Sequence, residues 1–192
     1  MPSLVTPALP AGSLASMDQA VITGDGVLLR AWTTADIPSV VAGFADPDIQ
    51  RWHCRSLDDE EAMAWIARWR VGWLMETEAC WAVEVDDVVA GQIGLRQIDL
   101  AEGTAAISYW TLPNARGKRV APRALEALTT WVFAELGLHR LELSHSTANA
   151  PSCQVAVRCG YLLEGTKRSE ARHADGWHDM HAHARLATDP PA

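Results

Sequence analysis

Positive charge is scarce in this sequence. Lysine occurs twice, and 16 basic residues stand against 24 acidic ones, for a net charge of −8 and a pI near 5.3. Proteins that hold nucleic acid or anionic membrane by their general surface need the opposite balance, so nucleic acid and membrane are disfavoured as partners. No apolar run approaches the roughly 20 residues that span a bilayer. The four cysteines, Cys54, Cys80, Cys153 and Cys159, form no CxxC pair and no zinc spacing. Together with the lack of a basic, apolar secretory leader, this implies a reducing, cytoplasmic setting. Neither GxxxxGK[ST] nor GxGxxG occurs, which excludes a Walker loop and a dinucleotide fingerprint. There is no internal repeat.

What remains is an ordinary globular chain. Of 192 residues, 48% are hydrophobic and 21% charged, and a chain of this length buries roughly 70% of its unfolded surface without disulfide or metal. Residues 1–17 (MPSLVTPALPAGSLASM) hold three prolines and read as a flexible leader, with Met17 an alternative start. Residues 18–188 form one domain and 189–192 a tail.

Hydrophobic periodicity divides the domain. Val27–Trp32 is a strand. Thr33 with Asp36 is a capping-box-like start for a helix to about Phe44. Asp46-Pro47 starts a second helix. Ser56 with Asp59 and Glu60 starts a third, whose Trp65, Trp69 and Trp73 share one face. Cys80–Val85 and Val88–Leu95 make a hairpin about Asp86-Asp87, and Thr104–Trp110 is the next strand. After a polar loop, Val120–Leu136 is helical and Gly137 ends it. Leu141–Ser144, a helix over Pro151–Cys159, and strands Tyr161–Glu164 and His178–Arg185 complete the order. An α/β (α+β) architecture follows, with a mixed sheet and helices on both faces.

The most informative stretch is Ile107–Arg123 (ISYWTLPNARGKRVAPR). A strand enters a loop bearing Arg116, Gly117, Lys118 and Arg119, and a helix begins near Val120 to Pro122. Free N–H groups at a helix N-terminus, with the positive end of its dipole, suit a pyrophosphate. Arg116, Lys118, Arg119 and Arg123 concentrate four cations there in an acidic chain. A solvated basic loop is the alternative.

Here the chain resembles the GNAT N-acetyltransferase superfamily, whose acetyl-coenzyme-A loop follows [Q/R]-x-x-G-x-[G/A]; this chain reads Arg116-Gly117-Lys118-Arg119-Val120-Ala121. The Gly137–Glu142 stretch (GLHRLE), Asn149-Ala150-Pro151-Ser152, Cys159–Gly165 (CGYLLEG) and Asp175–Asp179 (DGWHD) resemble the RimJ/RimL-type branch, which modifies protein N-termini. The resemblance spans about Gly26 to Leu186, and Arg119 departs from it where the pattern carries a glycine.

The resemblance implies the GNAT fold, a mostly antiparallel sheet with a splayed cofactor cleft. It implies transfer of an acetyl or other short acyl group from acyl-coenzyme A to a primary amine, directly in a ternary complex. The acceptor is a protein N-terminus or a small aminated metabolite or antibiotic. The second reading is a catalytically weak coenzyme-A-binding regulator of the same fold. Cofactor contacts then fall on the loop residues Arg116 to Ala121 and on Asn149, which holds the pantetheine arm. Backbone N–H near Trp110, Thr111 and Leu112 faces the oxyanion. Ser152 supplies the leaving thiolate with a hydrogen bond, with a helix cap as its bland alternative. An ammonium must first lose a proton, so a carboxylate is wanted; Glu142, on a strand beside the cleft, and Glu170, beyond the EG motif, are the candidates.

His178, His181 and His183 invite a metal reading. His181 and His183 share a strand face, but His178 has the opposite parity, and no neighbouring ligand completes a set. No metal is therefore expected; surface or interface histidines are, and a homodimer is compatible with them. The tryptophan stripe reads as core, with Trp52, Trp65 or Trp69 available to wall an acceptor pocket.

Overall fold

The computed structural model describes residues 4–190. Strands β1 (Ile22–Gly24) and β2 (Val27–Ala31) form a first hairpin, and helices α1 (Ile37–Ala45), α2 (Pro47–His53) and α3 (Asp59–Leu74) follow. Next come β3 (Ala79–Val85), β4 (Val88–Asp99) and β5 (Thr104–Thr111), then α4 (Val120–Trp131), which widens into a π-turn over Val132–Leu136. Strand β6 (Arg140–Ser146), helix α5 (Ala150–Arg158) and strands β7 (Leu162–His173) and β8 (Gly176–Leu186) close the chain. The eight strands make one sheet in the order β1-β2-β3-β4-β5-β6-β8-β7.

Local chemistry explains most boundaries. Asp36 accepts the Thr33 N–H at 2.8 Å, and Asp46 accepts that of Ile49 at 3.0 Å. The third helix is capped by Asp58 and Glu61 in a reciprocal box, not from Ser56 as expected; aspartate reaches the free N–H groups as serine would. Asp86 and Asp87 both adopt positive φ (52° and 62°), which matches the tight turn between β3 and β4. Gly137 at φ 84° ends the π-turn. The hairpin partner β1 and the length of β7 were not expected; β7 is exposed along most of its length, so its residues carry no alternation to read.

Alternation along β3 divides the core. Ala79, Trp81 and Val83 join the cluster under α4, with Leu125, Leu128 and Leu141. Cys80 and Ala82 face the other way, toward α1–α3, with Phe44, Trp65, Trp69 and Trp110. Trp65, Trp69 and Trp73 are at most 6% exposed, so the stripe is core. No described helix is long and apolar enough to cross a membrane.

The leader expected over 1–17 is corrected where it is described. Leu14 is fully buried in the α4-side core. The Glu76 carboxylate accepts the N–H groups of Gly12 and Leu14, both at 2.7 Å, and of Ala15 at 3.2 Å. The Trp73 indole donates to the Met17 carbonyl at 2.9 Å, and the Ala8 and Leu9 amides bond Ala101 and Leu100. Composition signalled a segment of small residues and prolines; a single leucine and a distant carboxylate dock it. Leu14→Ala is expected to cost about 2–5 kcal/mol in urea unfolding, the range for emptying a buried leucine site. A midpoint equal to wild type would restore the free leader.

Candidate active site

Of the seven strand pairings among the described residues, only β5–β6 is parallel, and it is three residues long: Thr104, Ala105 and Ala106 pair with Arg140, Leu141 and Glu142. Beyond Ala106 the strands separate. β5 stays paired to β4 as far as Thr111, and β6 to β8 as far as Ser146. The edges facing the gap have no strand partner. A cavity of about 250 Å³ occupies it, walled by Trp52 and His53 of α2, Ser108 and Tyr109 of β5, His145 and Ser146 of β6, and Asn149 and Ser152 at the start of α5. A larger hollow of about 620 Å³ lies outside α4 against β1. None of the buried unpartnered polar side chains lines it, whereas Tyr109, His145 and His173 of that group line the cleft.

Ladder geometry decides which amides face the gap. The Leu112 N–H is spent on the Ala90 carbonyl at 2.9 Å. Since antiparallel bonding alternates, the Trp110 amide also points at β4, and those of Tyr109 and Thr111 point into the cleft. Of the expected segment Trp110–Leu112, Thr111 alone offers its amide. The half-buried His53 imidazole lies 3.3 Å from the Tyr109 carbonyl through Nε2 and closes part of the edge. Burial pushes His53 down to about 4, partly offset by that carbonyl, so the ring is neutral near pH 7.

The basic loop divides into braces and free cations. Arg116 pairs with Asp46 and, at 2.8 Å, with Asp48, fastening the loop to the start of α2; its Nε reaches the Thr111 carbonyl at 3.3 Å. Desolvation pushes Asp46 up, but the Arg116 bond and the helix-start amides outweigh it and hold the carboxyl below its usual range. Arg123 ties the loop to the β1–β2 turn through the Asp25 carbonyl at 2.9 Å. Lys118 and Arg119 are exposed and make no ion pair among the described residues. The amides of Gly117 through Ala121 meet no backbone acceptor among the described residues. Gly117 and Arg119 both have positive φ, 74° and 60°. The conformation that a second glycine would take freely is thus imposed on Arg119 at a cost of about 1–2 kcal/mol.

At α5, Asn149 is the cap: its Oδ1 accepts the Ser152 amide at 3.2 Å. The cap role considered for Ser152 therefore falls to Asn149, and the Ser152 hydroxyl is left on the cavity wall. It neighbours the Tyr109 phenol, whose pKa burial raises to about 12 against the opposing influence of Ser152. The two glutamates are not brought to the cavity. Glu142 is exposed and bonded to Arg140 at 2.8 Å, and Glu170 pairs with Lys167 at 2.7 Å.

One cavity feature went unread in the sequence. Ser146 Oγ lies 2.7 Å from His178 Nδ1, and His178 Nε2 lies 2.8 Å from Asp175 Oδ1. The Ala148 amide donates to the same Ser146 oxygen at 3.1 Å, so the serine proton points to His178. Ser146 carries no motif of its own in the sequence, because its use depends on β6–β8 register. Trp52 borders the cavity and packs on His173 and His178, while Trp65 and Trp69 do not reach it.

The family model for the acetyltransferase (GNAT) domain matches residues 27–162. The chain belongs to that family. Its relatives point to the RimJ/RimL-type branch: it is 30% identical over 101 residues to the ribosomal-protein-serine acetyltransferase of Escherichia coli, covering 53% of this chain and 56% of that one. The chain spans about half the length of the curated relatives it matches, 50–58% for three of them. Among solved structures, RimL, the ribosomal L7/L12 alpha-N-protein acetyltransferase, in complex with coenzyme A superposes with a TM-score of 0.81 at 19% identity, covering 87% and 98% of the two chains. Mycobacterium smegmatis RimJ gives 0.80 at 22%, covering 90% and 88%. These likenesses establish the GNAT fold.

Because Arg116 is a brace, Arg116→Ala is expected to lower stability by about 1–2 kcal/mol by stranding the mostly buried Asp46. Lys118→Ala should leave the melting temperature unchanged. Equal melting of both variants would remove the brace.

Proposed function

We propose that this chain is an acyl-coenzyme-A-dependent N-acyltransferase that moves an acetyl or other short acyl group to a primary amine, most simply the α-amine of a protein N-terminus. The observation that carries the reading is a continuous path. Amides at Gly117–Ala121 that meet no backbone acceptor among the described residues stand beside the open edge of β5, whose Thr111 amide faces the gap, and that edge leads to the cavity bordered by Ser152. The amides and Lys118 take the pyrophosphate. The open strand edge and the Asn149 side-chain NH₂, which capping leaves free, take the amide-bearing pantetheine arm. The relative in E. coli named for a ribosomal-protein serine supports the peptide acceptor.

The amine nitrogen then bonds to the thioester carbon, and the carbon–sulfur bond breaks. Thr111 N–H stabilises the oxyanion, and Ser152 donates to the departing sulfur. The amine proton passes to Ser146 as that residue's own proton moves to His178, with Asp175 holding the far ring nitrogen. Glu142 and Glu170 lack this access, each being committed to a surface ion pair. Thiol release from acetyl-coenzyme A should depend on added amine, peptide N-termini exceeding small amines. Cofactor binding with no amine-dependent release would favour the regulator instead.

Two substitutions test the roles. Ser152→Ala should cut kcat by about 10- to 1,000-fold with little change in melting temperature, since Asn149 retains the cap. A variant that turns over normally would move proton donation to Tyr109 or water. His178→Ala should reduce kcat on the order of 100-fold, in the range of general-base loss. An unchanged rate would return the base to Glu142 or Glu170.

A further inference from the structure

Beneath α5, on the sheet face opposite Ser146 and His178, lies a second group of reactive side chains. His145 of β6 stands directly across from His181 of β8, and His183, two residues on, stands across from Leu143. All three therefore project from one face. Helix α5 lays Cys153 over them. The ligand atoms of His145, Cys153, His181 and His183 all lie within 4.8 Å of one another. A tetrahedral zinc ion with Zn–N of about 2.0–2.1 Å and Zn–S of about 2.3 Å sets its ligands roughly 3.3–3.7 Å apart, so only a small inward movement is needed.

The hydrogen bonding around the cluster is that of ligands awaiting a metal. His145 Nδ1 lies 2.8 Å from the Ser146 carbonyl, and His183 Nδ1 lies 3.1 Å from the Tyr161 carbonyl. Each ring therefore carries its proton on Nδ1 and its lone pair on Nε2. Both Nε2 atoms are buried without a partner, as is Nδ1 of His181. Three unpartnered imidazole nitrogens converging on a thiol are costly to bury unless something satisfies them. Fixing the ring by donation from its second nitrogen to a carbonyl is how proteins orient metal-bound histidine.

We propose that His145 Nε2, His181 Nδ1, His183 Nε2 and Cys153 Sγ form a binding site for one tetrahedral divalent metal, of which zinc fits the N₃S donor set best. On binding, the Cys153 thiol loses its proton to solvent and the sulfur becomes the anionic ligand. Four protein ligands leave no open position, so the ion is structural and staples α5 to β6 and β8. The staple lies one residue from Ser152 and holds the first turn of α5 against the cleft. His145 also borders the cavity, so the staple and the cleft share one strand.

The test uses the full chain stripped with chelator and titrated with Co²⁺ alone. One Co²⁺ per chain is expected, with intense tetrahedral visible bands and a thiolate-to-cobalt charge-transfer band, and Zn²⁺ should displace it. On unmodified protein, Zn²⁺ should shield Cys153 but not the exposed Cys54 from alkylation, read by peptide mass. Cys153→Ser and His181→Gln, their folding checked by circular dichroism, should each weaken binding by at least the roughly 10–100-fold that loss of an outer partner costs. Cys54→Ser should bind as wild type. Absence of stoichiometric Co²⁺ binding, weak octahedral bands, alkylation of Cys153 unaffected by Zn²⁺, or binding lost in Cys54→Ser would each overturn the site.

Discussion

Three residue pairs between β5 and β6 set the conditions for everything nearby. A parallel ladder that stops at Ala106–Glu142 leaves two sheet edges running on with unmet amides and carbonyls. Such edges are costly inside a protein and prone to pairing with other chains. The fold meets this need in parts: His53 lies against one β5 carbonyl, Arg116 donates to another, and α5 caps the far end of the gap. What is left is a slot lined by backbone polar groups, which an extended amide-bearing arm can enter as a missing strand would.

The same economy governs the loop before α4. Four cations in an acidic chain suggest an anion site, yet Arg116 and Arg123 bind the protein's own oxygens. Their work is to brace Gly117–Ala121, whose amides meet no backbone acceptor among the described residues. An exposed cation is screened by salt, whereas an amide fixed at a helix start loses nothing to reorganisation when the anion arrives. On this division Lys118 adds attraction and the braced backbone adds geometry. Arg119, held in a left-handed conformation, is the one strained member of the loop.

The helices, the β3–β4 hairpin and the basic loop before α4 were legible because their signals are local: Asp46-Pro47, the Asp86-Asp87 turn, the run Arg116–Ala121. Asn149 and Ser152 were legible as a motif, although which of them caps the helix needed coordinates. The docked segment around Leu14 was not legible, since its partner Glu76 lies some sixty residues away and its composition is that of a linker. Glu142 is a candidate for its place on a strand and Glu170 for its place beyond the EG motif, and neither property reveals that Arg140 and Lys167 occupy them. The histidine parity argument was sound for β8 by itself. It had no means of seeing His145, because strand pairing across β6 and β8 brings together residues 36 apart.

That pairing also explains how one short strand serves two purposes. Successive β6 side chains point to opposite faces, so Ser144 and Ser146 look toward the cleft side and His145 toward α5. On β8 the same rule puts His178 with Ser146 and puts His181 and His183 with His145. A shift of register by one residue would exchange the two sets and destroy both. The register is held by the apolar partners Leu141 and Leu143 at one end, both buried, and by the Ser146–His178 bond at the other. The proton path and the histidine–cysteine cluster are thus two readouts of a single alignment, and whatever fixes α5 over one of them also fixes Ser152 beside the other.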